Sequence, residues 1–151
     1  MSLEMDADPT LPDAFEREAI TEPIGSADPL RYRVWSPAEG TRPRATLAVL
    51  SGIMSNTAWF RPLAVRWQAM GYHVLGVERR GSGLNSAQGQ GDTESADRLL
   101  HDAAAVIAHG RAAEVPLVIV GWCWGAILGV HLALRLSDTA GLALLTPGLF
   151  P

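Results

Sequence analysis

An α/β fold built on a mostly parallel sheet is what this sequence predicts, and three observations predict it. From residue 45 onward, short apolar runs alternate with segments of helical length. Two of those runs, "ATLAVLS" (45–51) and "PLVIVG" (116–121), are nearly continuous in apolar residues, as a strand covered on both faces must be. The helical segments end on turn formers, Gly71 and Gly110 among them. Alternation of this kind puts helices on both faces of the sheet, giving three layers.

The elements follow in order. Residues 1–14, with Asp6, Asp8, Pro9, Pro12 and Asp13, read as a flexible acidic tail, in part a leftover of expression cloning; 15–151 form the folded part. "EAITEPI" (18–24) and "LRYRVWS" (30–36) alternate with period two around Gly25, Ser26, Asp28 and Pro29, which predicts an antiparallel hairpin. After the strand at 45–51, "NTAWFRPLAVRWQAM" (56–70) reads as a helix with Pro62 in its first turns and Gly71 as its stop. "YHVLGVE" (72–78) is a strand, and 81–91 a Gly/Ser/Gln loop. "DTESADRLLHDAAAVIAHG" (92–110) is a helix with Asp92 and Thr93 as expected caps. A strand (116–121), a buried helix (124–137) and a last strand, "AGLALLT" (140–146), complete the order β-β-β-α-β-α-β-α-β.

Composition removes several functions. The chain has 151 residues, enough for one domain with a core, and its 48% hydrophobic and 19% charged residues exclude disorder. A net charge of −4 with no basic block leaves no groove for nucleic acid and no face for an anionic membrane. The apolar run at 124–134 is too short to span a bilayer, and the N-terminus has no apolar signal region. One cysteine forbids an intrachain disulfide and fits a reducing compartment, so a cytoplasmic location is expected. Gly81-Ser82-Gly83 lacks the Gly-Lys-Ser/Thr ending of a phosphate loop, and no metal or organic cofactor is implied.

The chemistry concentrates at "PLVIVGWCWGAILG" (116–129). A nucleophile raised at the end of a strand needs a tight strand-to-helix turn, and Gly121 and Gly125 remove side chains where that turn would clash. Cys123 then stands at a helix N-terminus, where the dipole and free N–H groups favour a thiolate. The Trp124 N–H points where an oxyanion would form, and the Ile53 N–H, in the loop after "TLAVL", is the natural second donor. The bland alternative for Cys123 is a small buried thiol. Trp122, Trp59 and Phe60 are candidates for a substrate pocket, with core packing as their alternative. Arg79, Arg80 and Ser82 read as loop-shaping residues, and Glu78 as ordering that loop with one of the two arginines.

"LSGIMSN", "GVERRGSGLNS" and "VIVGWCWGAILG" together resemble the α/β-hydrolase superfamily, closest in flavour to its lysophospholipase/monoacylglycerol-lipase branch. "ERRGSGLNS" (78–86) stands where that branch has Asp-x-Arg-Gly-x-Gly-x-Ser, and "GWCWG" where it has Gly-x-Ser-x-Gly. The resemblance covers roughly 19–150. It implies a covalent acyl mechanism with Cys123 in place of Ser, as in dienelactone hydrolases, polyhydroxyalkanoate synthases and some thioesterases. Ser51 replaces the usual oxyanion-loop His.

The family supplies its acid and then its His after later strands, whereas this chain reaches only about the sixth. None of the four histidines substitutes. His73 begins a strand at the wrong end. His101 and His109 are about 12 Å apart along one helix. His131 lies two turns behind Cys123. The expectation is therefore an incomplete α/β-hydrolase domain with "LALLT" as an open sheet edge, completed by a second gene product, the C-terminal piece of a cleaved precursor or a swapped copy of itself; the alternative is that the sequence is a truncated piece of a longer chain. The completed unit would be an acyl hydrolase or acyltransferase acting on an ester, thioester or lactone. The alternative from another class is a non-catalytic binding or scaffold subunit.

Overall fold

The computed structural model describes residues 16–23, 28–88 and 93–147. The expected tail, Gly25, Ser26, Asp92 and the final 148–151 lie outside the described residues. One six-stranded sheet has the order β1-β2-β4-β3-β5-β6. Its strands are β1 (Glu16–Ile20), β2 (Arg31–Trp35), β3 (Thr46–Leu50), β4 (His73–Val77), β5 (Leu117–Trp122) and β6 (Thr139–Leu145). β1 and β2 pair antiparallel, and β2 joins β4 antiparallel. The β4–β3, β3–β5 and β5–β6 pairs are parallel. The hairpin predicted from period-two alternation is there, closed by the Thr21 N–H donating to the Leu30 carbonyl (2.8 Å) and the Leu30 N–H to Thr21 Oγ1 (2.9 Å).

β3 and β4 are buried at every position, which explains their unbroken apolar runs. α1 (Arg61–Ala69) covers one face, with Phe60, Ala64 and Val65 on Trp35, Val49 and Val74. α2 (Ala96–Gly110) and α3 (Trp124–Arg135) cover the other, with Val106, Ile107, Leu128 and Leu132 on Leu50, Leu75 and Ile119. Each fully buried aliphatic side chain contributes roughly 1.5–3 kcal/mol, so both faces are needed to hold the three layers.

Three local expectations are corrected. The segment 56–70 is not one helix: Thr57–Phe60 is a 3-10 turn capped by Asn56, whose Oδ1 accepts from the Ala58 N–H (3.0 Å). Pro62 has no N–H and its ring would meet the carbonyl four residues back, so the α-helical ladder begins only at Arg61. α2 is capped by Ser95, whose hydroxyl accepts from the Arg98 N–H (3.1 Å); the Thr93 hydroxyl instead donates to the Ser95 carbonyl. The loop after β4 contains a 3-10 segment, Gly83–Gln88.

Buried polar groups are paired across elements. Asp102 on α2 holds Arg80 (2.9 Å) and Arg98 (3.0 Å), fastening the loop after β4 to the helix layer. His73 is a satisfied core histidine, with Nδ1 at 3.2 Å from Ser36 Oγ and Nε2 at 2.8 Å from the Gly110 carbonyl. β6 pairs with β5 alone among the described residues, and Leu142 on it is 40% exposed, so the expected open apolar edge is present. Among the described residues, no helix is long and apolar enough to cross a membrane.

Candidate active site

Parallel pairing of β4, β3 and β5 brings their C-terminal ends to one edge of the sheet, where α/β folds place their sites. β5 ends at Trp122 and α3 starts at Trp124, so Cys123 is the whole turn. Its backbone is at φ 53°, ψ −120°, a region a residue with a Cβ enters only when its surroundings force it. The forcing is visible. A Cβ on Gly121 would lie 2.5 Å from Ala126 Cα, and one on Gly125 would lie 2.3 Å from the Leu50 carbonyl oxygen. Backbone therefore crosses backbone on both sides of Cys123, as the sequence spacing requires. The Cys123 N–H donates to the Leu145 carbonyl (2.9 Å), tying the turn to β6. Among the described residues the thiol is free and exposed.

β3 delivers the second part. Residues 51–55 form a tight loop in which the Ser55 N–H and Oγ both donate to the Gly52 carbonyl (3.2 Å each), and Ser51 Oγ donates to the Ser55 carbonyl (3.3 Å). The vacant Cβ position of Gly52 is 3.4 Å from Cys123 Cβ, so this loop lies against the cysteine.

A cavity of about 340 Å³ opens beside Cys123, lined by Gly52–Ser55, Trp59, Phe60, Leu63, Trp122 and Cys123. Ile53, Trp59, Phe60 and Trp122, each expected here, converge in it. Phe60 and Trp122 meet edge to face with centroids 5.6 Å apart. Trp59 remains 71% exposed at the rim, so it is not core filler. Trp124 is outside the lining: it contributes its position at the head of α3, where a first-turn N–H has no intrahelical partner. Met54, Ser55 and Leu63 also line the cavity, beyond the residues expected from sequence.

The loop after β4 departs from expectation. Glu78 does not pair with its neighbouring arginines; its buried carboxylate accepts from Thr57 Oγ1 (2.5 Å) and from the Thr57 N–H (3.3 Å). Burial pushes its pKa up, against the Thr57 bonds and the charges of Arg33 and Arg79, which pull it down. The folded state thus holds this proton more tightly than the unfolded chain. The associated stability is full below the ordinary value of 4.5 and is lost as pH rises through the folded value. Glu78→Gln stays neutral and should escape that loss. Its melting temperature relative to the unsubstituted protein should rise as pH climbs above 4.5; a difference flat in pH would show that Glu78 titrates alike folded and unfolded. Buried His73, with its pKa lowered, loses stability as pH falls through the ordinary value of 6.5, but it is common to both proteins and cancels.

The model of the hydrolase family described as serine aminopeptidase, S33, matches residues 41–151. The chain belongs to that family. This α/β hydrolase is similar in fold to a thermostable carboxyl esterase from Bacillus coagulans (16% identity, TM-score 0.72), covering 85% of this chain and 43% of the esterase. A bacterial heroin esterase (19%, TM-score 0.72) is covered over 95% and 47% of the two chains. An α/β hydrolase from Novosphingobium aromaticivorans (23%, TM-score 0.67) is covered over 87% and 44%. The hydrolase chain therefore spans less than half the length of these structures. No curated protein matches its sequence.

Proposed function

We propose that this α/β hydrolase uses Cys123 as a covalent nucleophile toward an ester, thioester or lactone, passing the acyl group to water or to another acceptor. The observation that carries this reading is the strained turn: Cys123 at φ 53° between two backbone crossings, at the mouth of an apolar pocket. A thiolate suits acyl transfer because it needs less base assistance than a hydroxyl. The N–H groups of Trp124 and Ile53 hold the oxyanion. The aromatic lining and the resemblance to lysophospholipases and monoacylglycerol lipases favour an apolar acyl group.

None of the four histidines lines the pocket, and His109 Nδ1 is engaged by the Tyr32 hydroxyl at 2.7 Å. The general base and its acid would then come from polypeptide beyond these residues, whether a continuation of this chain, the other piece of a cleaved precursor, a second polypeptide or a second copy. A cytoplasmic, reducing setting keeps the exposed thiol available. A second reading is a non-catalytic binding subunit, for which the apolar pocket alone would serve. The two are separated by assaying the intact protein, with whatever co-purifies, on p-nitrophenyl esters and acyl thioesters. Turnover that depends on Cys123 supports the first reading; ligand binding without turnover supports the second.

A further inference from the structure

Arg79 is the residue the loop sequence disguised. It was expected to shape its own loop. Instead its Nη2 donates to three carbonyls of the β3 loop: Gly52 at 3.1 Å, Ile53 at 3.0 Å and Ser55 at 3.4 Å. Its guanidinium carbon also sits over the Trp124 ring, 5.1 Å from the centroid. One cation thus touches both segments that carry the oxyanion donors.

The Gly52 carbonyl and the Ile53 N–H belong to one peptide unit. That unit is planar and trans, so its C=O and N–H point in opposite directions. Turning the carbonyl onto Arg79 turns the Ile53 N–H away from Arg79. Gly52 and Ile53 line the pocket with Cys123, and Arg79 does not. A cation on the carbonyl also polarises the amide and makes its N–H a stronger donor. Without that cation, the Gly52 carbonyl keeps, among the described contacts, only the two 3.2 Å bonds from Ser55.

We propose that Arg79 is a positioning residue that sets and polarises the oxyanion hole through the Gly52–Ile53 peptide. The proposal rests on the acyl-transfer reading for its effect on rate. Its effect on the loop stands independently.

The test compares two reactions of one thiolate in the intact protein. Alkylation of Cys123 by iodoacetamide develops no oxyanion, whereas acylation by p-nitrophenyl acetate does. Both consume the same thiolate, so their ratio does not depend on how much thiolate is present. Arg79→Met should lower acylation about 10-fold or more, below the ~10²–10³ seen on deleting an oxyanion donor outright, and leave alkylation within about 2-fold. In Arg79→Gly, added guanidinium should restore part of the acylation rate. Unchanged acylation overturns the proposal. So does an equal fall in both reactions without guanidinium rescue, which is a purely structural role. If the unsubstituted protein alkylates but never acylates, the acyl-transfer reading fails, and the loop decides Arg79: faster amide exchange at 52–55 confined to Arg79→Met upholds its positioning role, and unchanged exchange refutes it.

Discussion

Cys123→Ala should abolish ester and thioester turnover, by about 10³-fold at least, while the protein remains folded. Removing the attacking atom leaves only pocket binding and the oxyanion donors, and nucleophile deletions in enzymes of this logic cost up to ~10⁶ in kcat. Stability should scarcely change. Cys123 is exposed, and its side chain makes no capping bond to α3. Exposed substitutions of this kind stay within about 0.5 kcal/mol. Steady-state kinetics and a thermal melt on the same preparation check both halves. Residual turnover near the original rate would move the chemistry away from this turn.

The largest loss of stability should come from Gly125→Ala. The added methyl would lie 2.3 Å from the Leu50 carbonyl oxygen and 2.6 Å from that of Ser51. Both are backbone atoms in or beside a fully buried central strand, so neither can move aside as a side-chain tip would. Overpacking of a close-packed interior costs about 1–3 kcal/mol, and a backbone clash belongs at or beyond the upper end. For a chain of this size that is a fall of roughly 6–12 °C in melting temperature. Gly129→Ala is the control on the same helix: its Cβ meets only side chains, at 3.3 Å and beyond. If both variants melt alike, the backbone crossing does not build the turn.

Much of this was legible from residue pattern. The succession of elements along the chain follows from apolar runs and turn residues because parallel strands buried on both faces must be apolar throughout. The turn at Cys123 was legible because only glycine tolerates the crossings at 121 and 125. What stayed hidden depends on contacts between segments distant in sequence. Arg79 and Arg80 are adjacent and identical, yet one reaches the β3 loop and the other Asp102, and no local pattern distinguishes them. Glu78 is drawn to Thr57, twenty-one residues earlier, for the same reason. The cap of α2 was misplaced because Thr93 and Ser95 are equally good cap formers, and only the geometry shows that Ser95 faces the Arg98 N–H.

The central claim is that Cys123 takes up an acyl group, and intact-mass measurement after brief mixing with an acyl thioester or a p-nitrophenyl ester tests it most directly. Lysine does not compete, since the twelve basic residues are all arginine. The expected result is a single acyl increment that maps to the peptide containing Cys123, forms within the first turnover and is absent from Cys123→Ala. An intact protein that binds the ester yet gains no mass at Cys123, or gains the same mass with alanine at that position, would contradict the account.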